Sequence, residues 1–282
     1  KILLVELGPG DATLCSDLLK TFKTFTSFYN CLEIKLFEKS EILKKIQKNK
    51  IRNKKVKWIK KIDDLKSGPI IFITNEFFDA LPIKQFYKNK KKFFERHVGF
   101  SKKNKKFFFT KRKAKNNLVK SLNKYGILSE TNIIEYPSKG IDYIETIAKK
   151  IKKLNGGLLI IDYGYDKKNN KDTLQSVMKH KYIDIFAKPS FADITHHINY
   201  KLFREVLKKN NLLSERLVTQ NEFLQRLGIV ERANIISKKI NFKEKIKMYY
   251  NLKKLLHHSE MGELFKVLFA HKKETKFSLG FE

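Results

Sequence analysis

The chain has 282 residues, with 61 Lys and Arg against 29 Asp and Glu, for a formal charge of +32. That length buries a full core in a single α/β domain, and no apolar run is long enough to span a membrane. Two cysteines, Cys15 and Cys31, exclude a disulfide framework and a four-cysteine metal site; they read as buried apolar thiols in a reducing intracellular compartment. The charge excess is Lys spread along the whole chain among abundant Asn, Ile and Phe, with few Arg. It reads as solvated surface and weak anion attraction, not a built nucleic-acid footprint.

The chain opens at Lys1, without Met and without a signal or transit pattern, and reads as a fragment beginning at a strand. Ile2-Leu3-Leu4-Val5-Glu6-Leu7 is an apolar strand carrying an acid near its end, and Gly8-Pro9-Gly10 is a tight turn that permits close approach of a ligand. Leu14, Leu18, Leu19 and Phe22 then have helical spacing from Thr13 onward. Strand, glycine turn and helix N-terminus together form a polar cradle. A dinucleotide fingerprint G-x-G-x-x-G requires glycine where Thr13 stands, which argues against a nicotinamide or flavin site.

A second strand follows at Glu33 to Phe37, ending at Glu38, with Ser40 as helix N-cap and Ile42, Leu43 and Ile46 on the inner face of the next helix. Val56 to Ile59 is a short third strand carrying Trp58, a core residue or a flank for an adenine; Ile70 to Thr74 is a fourth, apolar throughout as a buried parallel strand should be. From Ile83 to about Thr110 the period changes to two, with Lys clusters at the turns, and segment 83–128 reads as an antiparallel β-rich insertion. The helical period returns at Ile141, Ile144, Ile147, Ala148 and Ile151, and Leu158 to Ile161 is a fifth strand followed by Asp162-Tyr163. Tyr200 to Asn210, Gln220 to Leu227 (with Gly228 as a stop) and Lys243 to Leu256 read as helices, and Phe265 to Ala270 as a closing strand. Strands alternating with helices predict an α/β fold, a doubly wound and mostly parallel sheet with a helical C-terminal part, in one domain over 1–282.

Ligands of such sheets lie beyond the carboxyl ends of the strands. Glu6, Glu38, Asp63-Asp64, Asn75 to Asp79 and Asp162 all fall there. An acid after strand two can accept both ribose hydroxyls, which assigns Glu38 to a ribose. Asn75-Glu76-Phe77-Phe78-Asp79-Ala80-Leu81-Pro82 sets two acids around two aromatics, and acids placed near a core call for a partner such as a cation or a guanidinium. In Asp193-Ile194-Thr195-His196-His197, adjacent histidines in a strand point to opposite faces and do not ligate one ion, so no metal site is expected; His197 reads as pocket-lining and His196 as exposed. His257-His258, near the end of a helix, are expected to meet its last carbonyls.

The run Glu6-x-Gly8-x-Gly10-x-Ala12 resembles motif I of class I S-adenosylmethionine-dependent methyltransferases. Together with Asn75 to Pro82, Ile161-Asp162-Tyr163-Gly164-Tyr165, Ala192 to His197 and Met261 to Val267, in that order, the chain is similar along essentially its whole length to the MidA-like methyltransferases, relatives of the mitochondrial complex I assembly factor that methylates protein arginine. Two departures stand out. Asp11-Ala12 replaces a common Arg-Gly, so Ala12 is expected to take ordinary backbone angles, and the N-terminal portion of the relatives is absent.

The resemblance implies a Rossmann-like class I fold with S-adenosylmethionine as cofactor, held by Glu6, Gly8, Pro9, Gly10, Thr13, Glu38 and Asn75. It implies an arginine of a respiratory complex I subunit as acceptor, in the bacterial cytoplasm or the mitochondrial matrix, with a homodimer left open. A guanidinium stays protonated at neutral pH, so carboxylates must orient it and help remove a proton. Glu76 and Asp79 are assigned that role, and Phe78, Asp162, Tyr163, Asp193 and His197 the lining of the acceptor site. A nucleic-acid methyltransferase and a non-catalytic assembly chaperone are the alternatives.

Overall fold

A computed structural model describes every residue except 91, 127–131, 168, 170, 180 and 276. Lys91, in the Lys-rich part of the expected insertion, and positions 127–128 at its end lie outside the described residues. The chain divides into two compact units, one of residues 1–77, 145–164 and 207–282, the other of residues 78–144 and 165–206.

The first unit opens with β1 (Ile2–Leu7), α1 (Thr13–Phe22), α2 (Thr26–Cys31), β2 (Leu32–Phe37), α3 (Glu41–Lys50), β3 (Val56–Ile59) and β4 (Ile70–Asn75). The second holds an antiparallel sheet of β5 (Lys84–Asn89), β6 (Lys92–Ser101), β7 (Lys106–Lys113) and, after α4 (Asn116–Lys124), β8 (Ile133–Tyr136). Its strand order is β7-β6-β5-β8, so the antiparallel region reaches past segment 83–128 to Tyr136. The chain continues through α5 (Ser138–Leu154), β9 (Gly156–Tyr165), β10 (Gln175–Met178), β11 (Lys181–Ile183), β12 (Asp193–Thr195), β13 (Ile198–Asn199) and α6 (Tyr200–Lys209). It closes with β14 (Leu213–Ser214), β15 (Val218–Thr219), α7 (Gln220–Arg226), α8 (Ile229–Ser237), α9 (Phe242–Leu256), α10 (Met261–Leu264) and β16 (Phe265–His271).

In the first unit the parallel strands lie in the order β3-β2-β1-β4-β9, with β16 antiparallel beside β9. The chain winds one way from β1 to β3 and the other way from β4 to β9, so the order reverses between β1 and β4. That switch point opens a crevice at the carboxyl ends of both strands. Leu3, Val5, Leu7, Ile34, Leu36, Ile70 and Phe72 are buried, which is why these strands read as continuous apolar runs. The α5 stripe Ile141, Ile144, Ile147, Ala148 and Ile151 is likewise buried.

Three local expectations are corrected. In α3, Ile42 is 74% exposed and Ile46 45%, while Gln47 is fully buried: the inner stripe runs Leu43, Gln47, Ile51. The helix turns this way because the Gln47 amide is hydrogen-bonded through both its nitrogen and its oxygen, which offsets the desolvation cost of burying it. Cys15 is buried as expected, but Cys31 is exposed at the end of α2. Gly228 does end α7, yet with φ +77° it also starts α8, a helix the pattern did not announce.

Candidate active site

The turn after β1 is built on alternating left-handed residues. Gly8 has φ +66°, Gly10 φ +54° and Ala12 φ +62°, ψ +29°. Ala12 therefore does not take ordinary angles; it keeps the conformation a glycine would hold, fixed by its amide donating to the Pro9 carbonyl at 2.6 Å and its carbonyl accepting from Ser16 at 3.0 Å. Gly8 donates to the Phe37 carbonyl at 3.0 Å, and a Cβ on it would strike Phe77 at 2.8 Å. A Cβ on Gly10 would meet nothing within 4 Å, so this face of the turn is open. Pro9 is buried, its carbonyl serving the turn.

Glu6, beneath the turn, is buried and its Oε2 has no hydrogen-bond partner among the described residues. Burial, reinforced by the negative charge of Asp11, pushes its carboxyl up to about 7. Asp11 behaves oppositely. Lys50 donates to it at 2.8 Å and Thr13 donates through both its amide (2.9 Å) and its hydroxyl (2.7 Å), holding it down at about 2. The Thr13 hydroxyl also accepts from Lys50 at 2.5 Å, so this side chain ties the helix start together.

Glu38, past the end of β2, is held at both oxygens: the Ser40 amide donates to Oε1 at 2.8 Å and Gln47 Nε2 to Oε2 at 3.2 Å. Gln47 Nε2 also donates to the Gly10 carbonyl at 2.8 Å, and its Oε1 accepts from Trp58 Nε1 at 2.7 Å. Gln47 and Lys50 were not among the residues read as site residues. The available signal was a glutamine standing at four-residue spacing between Leu43 and Ile51, a polar group on an apolar stripe.

At the end of β4, Asn75 and Glu76 are exposed; Asn75 Nδ2 lies 3.5 Å from Glu76 Oε1, and Glu76 takes φ +50° with its amide donating to the Ile161 carbonyl at 3.1 Å. Because Leu7 of β1 is in register with Thr74 of β4, the glycine turn and Asn75-Glu76 emerge side by side. The desolvation argument made for two acids applies to Asp79 alone, since Glu76 faces solvent. Asp162 and Tyr163 lie inside β9, not beyond it: Asp162 is fully buried with Oδ1 accepting from the Tyr163 amide at 2.9 Å, and Tyr163 packs edge-on against Phe265 at 5.4 Å.

The second unit holds the other assigned residues. Phe78 is fully buried edge-on against Phe203 at 5.0 Å, which leaves it no surface to offer a substrate. Asp79 is buried, and its backbone carbonyl accepts from the His196 amide at 3.1 Å. The expected exposure of His196 is corrected. His196 is 3% exposed, whereas His197 is half-buried. His196 Nδ1 lies 3.2 Å from the His197 carbonyl, and burial pulls the pKa of the ring down. A cavity of about 370 Å³ includes Leu81, Pro82, Gln85, Arg96, Thr195 and His196 among its lining, and not His197. Asp193 is exposed on β12. His257 Nδ1 meets Ser259 Oγ at 2.8 Å and not a helix carbonyl. Among the described residues, no cluster of His, Cys, Asp or Glu could hold a metal.

A glycine turn at the switch point of a 3-2-1-4 parallel sheet, faced by an acid at the end of the second strand, defines a Rossmann-like class I methyltransferase fold. Residues 1–218 match the family model described as "Putative S-adenosyl-L-methionine-dependent methyltransferase", and the chain belongs to that family. It is 31% identical over 252 residues to the mitochondrial protein arginine methyltransferase NDUFAF7 homolog of Caenorhabditis elegans, covering 81% of this chain and 58% of that one. It is 28% identical to the mitochondrial protein arginine methyltransferase NDUFAF7 of Xenopus tropicalis, covering 93% and 66%. The chain thus spans about three fifths to two thirds of the length of these curated relatives. In fold it is similar to a Burkholderia thailandensis protein solved with S-adenosyl-homocysteine, at TM-score 0.79 and 20% identity over 100% of this chain and 72% of that one.

The cofactor of the family is S-adenosylmethionine, and the residues present fit it. The open face at Gly10 leaves room for a ligand against the turn, and Glu38 retains lone pairs on both oxygens for ribose hydroxyls.

Proposed function

We propose that this chain is the catalytic part of an S-adenosylmethionine-dependent protein arginine N-methyltransferase that acts on a respiratory complex I subunit during assembly. The observation that carries the reading is the pairing of β1 with β4, which sets the glycine turn beside Asn75-Glu76 at the switch point. The names of the curated relatives support arginine as acceptor and a mitochondrial setting; the resemblance to the MidA-like methyltransferases implies the complex I subunit and, for a bacterial source, the cytoplasm. No helix among the described residues is long and apolar enough to cross a membrane.

When bound, the cofactor supplies an electrophilic methyl group. The residues of this chain would serve the other partner. A guanidinium reaching Glu76 meets an exposed carboxylate that can accept its N–H groups and take up the proton released as the nitrogen gains the methyl. Asp79 is the second assigned carboxylate, and it is buried. Much of the acceleration would come from positioning the nitrogen.

The test supplies the full-length protein with labelled S-adenosylmethionine and, in parallel, complex I subunits, RNA and DNA. Label on a subunit arginine supports the reading. Label on nucleic acid overturns it, and tight subunit binding without label replaces it with an assembly chaperone. Normal turnover by Glu76→Gln would remove Glu76 from the acceptor site while leaving the rest intact.

A further inference from the structure

We propose that Gln47 is the positioning residue of the cofactor pocket, the side chain that fixes the glycine turn, the ribose carboxylate and Trp58 in one arrangement before the cofactor arrives. The inference rests on the reading that Gly10 and Glu38 bind S-adenosylmethionine.

The amide of Gln47 offers two N–H donors and one oxygen acceptor. One N–H goes to the Gly10 carbonyl at 2.8 Å and the other to Glu38 Oε2 at 3.2 Å, while the oxygen takes the Trp58 indole N–H at 2.7 Å. These partners come from three separate stretches of chain: the turn after β1, the residue after β2, and β3. The side chain is fully buried, so each bond is shielded from water at its Gln47 end. Nothing in the packing of α3 demands a polar residue here; Leu43 and Ile51, one turn away on either side, are apolar. The polar choice is explained by what it holds.

Each bond constrains a different wall. The bond to Gly10 holds the carbonyl of a left-handed glycine, φ +54°, whose other face is open. The bond to Glu38, with the one from the Ser40 amide at 2.8 Å, fixes the carboxylate plane while leaving a lone pair on each oxygen. The bond to Trp58 orients the only tryptophan of the chain, so the state of the amide is readable in fluorescence. A pocket held in its bound geometry loses less conformational freedom on binding, which is how such a residue raises affinity without touching the ligand.

Gln47→Glu keeps the acceptor for Trp58 but removes both donors and sets a carboxylate against Glu38. Gln47→Leu removes all three bonds at similar volume. With the full chain, binding of S-adenosyl-homocysteine is measured by titration calorimetry alongside Trp58 emission and thermal melts. We expect both variants to bind at least tenfold more weakly than the wild type; Gln47→Glu keeps the Trp58 emission of the free protein, and Gln47→Leu shifts it. Affinity within twofold of the wild type in Gln47→Leu, with the fold retained, overturns the proposal and leaves the cofactor reading standing. If Gln47→Glu fails to fold, Gln47→Leu and Gln47→Met decide. Wild-type protein that neither binds S-adenosyl-homocysteine nor changes its Trp58 emission overturns the cofactor reading itself, and this proposal with it.

Discussion

Ala12 donates its amide to the carbonyl of Pro9 at 2.6 Å while standing at φ +62°, a left-handed alanine locked into a conformation that favours glycine. The left-handed region costs a non-glycine residue roughly 1–2 kcal/mol. Against this, the methyl is fully buried in the cluster of Leu4, Cys15, Leu19 and Ile34, a gain of about 0.8 kcal/mol, and alanine restricts the unfolded chain by a further 0.4–1 kcal/mol or so. The terms nearly cancel. Ala12→Gly should therefore change stability in urea by less than about 1 kcal/mol. Ala12→Val adds a β-branched side chain to a buried left-handed position and should lose about 2 kcal/mol or more. A valine variant as stable as the wild type would show that the turn is not held in this conformation.

The parallel sheet was legible because strands covered on both faces are apolar runs bounded by glycines and acids, as at Val5-Glu6-Leu7-Gly8 and Ile73-Thr74-Asn75-Glu76. The register of β1 with β4, which gathers the glycine turn and Glu76, follows once those boundaries are right. What stayed hidden depends on contacts distant in sequence. Gln47 looks like a surface residue until the Gly10 carbonyl, 37 residues earlier, is placed against it. His196 and His197 could be sorted onto opposite faces but not into inside and outside, because the Asp79 carbonyl that draws His196 inward lies far back in the chain. For Ala12, the residue type implied ordinary angles while the closure of the turn on Pro9 dictated otherwise.

Glu6 gives the fold a pH dependence. Its carboxyl is raised to about 7 from 4.5 by burial, so between these values the folded protein holds a proton that the unfolded chain has released. The stabilisation is fully present below about pH 4.5 and is lost as the pH rises through 7, on the order of 3 kcal/mol in all. Glu6→Gln keeps the neutral shape without the titration. Urea unfolding at pH 5.5 and 8.5 should show the wild type losing stability relative to the variant at the higher pH. Equal pH slopes in the two proteins would mean that Glu6 titrates normally.

Phe78 separates folding from chemistry within the Asn75 to Pro82 turn. It is fully buried, and its ring meets Phe203 edge-on at 5.0 Å. A Cβ on Gly140 would sit 3.5 Å from both rings, so the packing there is close on a third side. Phe78→Ala should cost about 3–5 kcal/mol through lost burial and the cavity left behind, enough to remove much of the stability of a domain. Phe78→Leu keeps most of the volume and should cost less than half as much. Methyl transfer should follow stability across this pair: restored in Phe78→Leu, lost in Phe78→Ala at temperatures where that variant unfolds. Glu76→Gln, at an exposed position two residues away, should leave the melting temperature within a few degrees of the wild type while turnover falls. A Phe78→Leu variant that melts like the wild type yet has lost turnover would instead place Phe78 against the substrate.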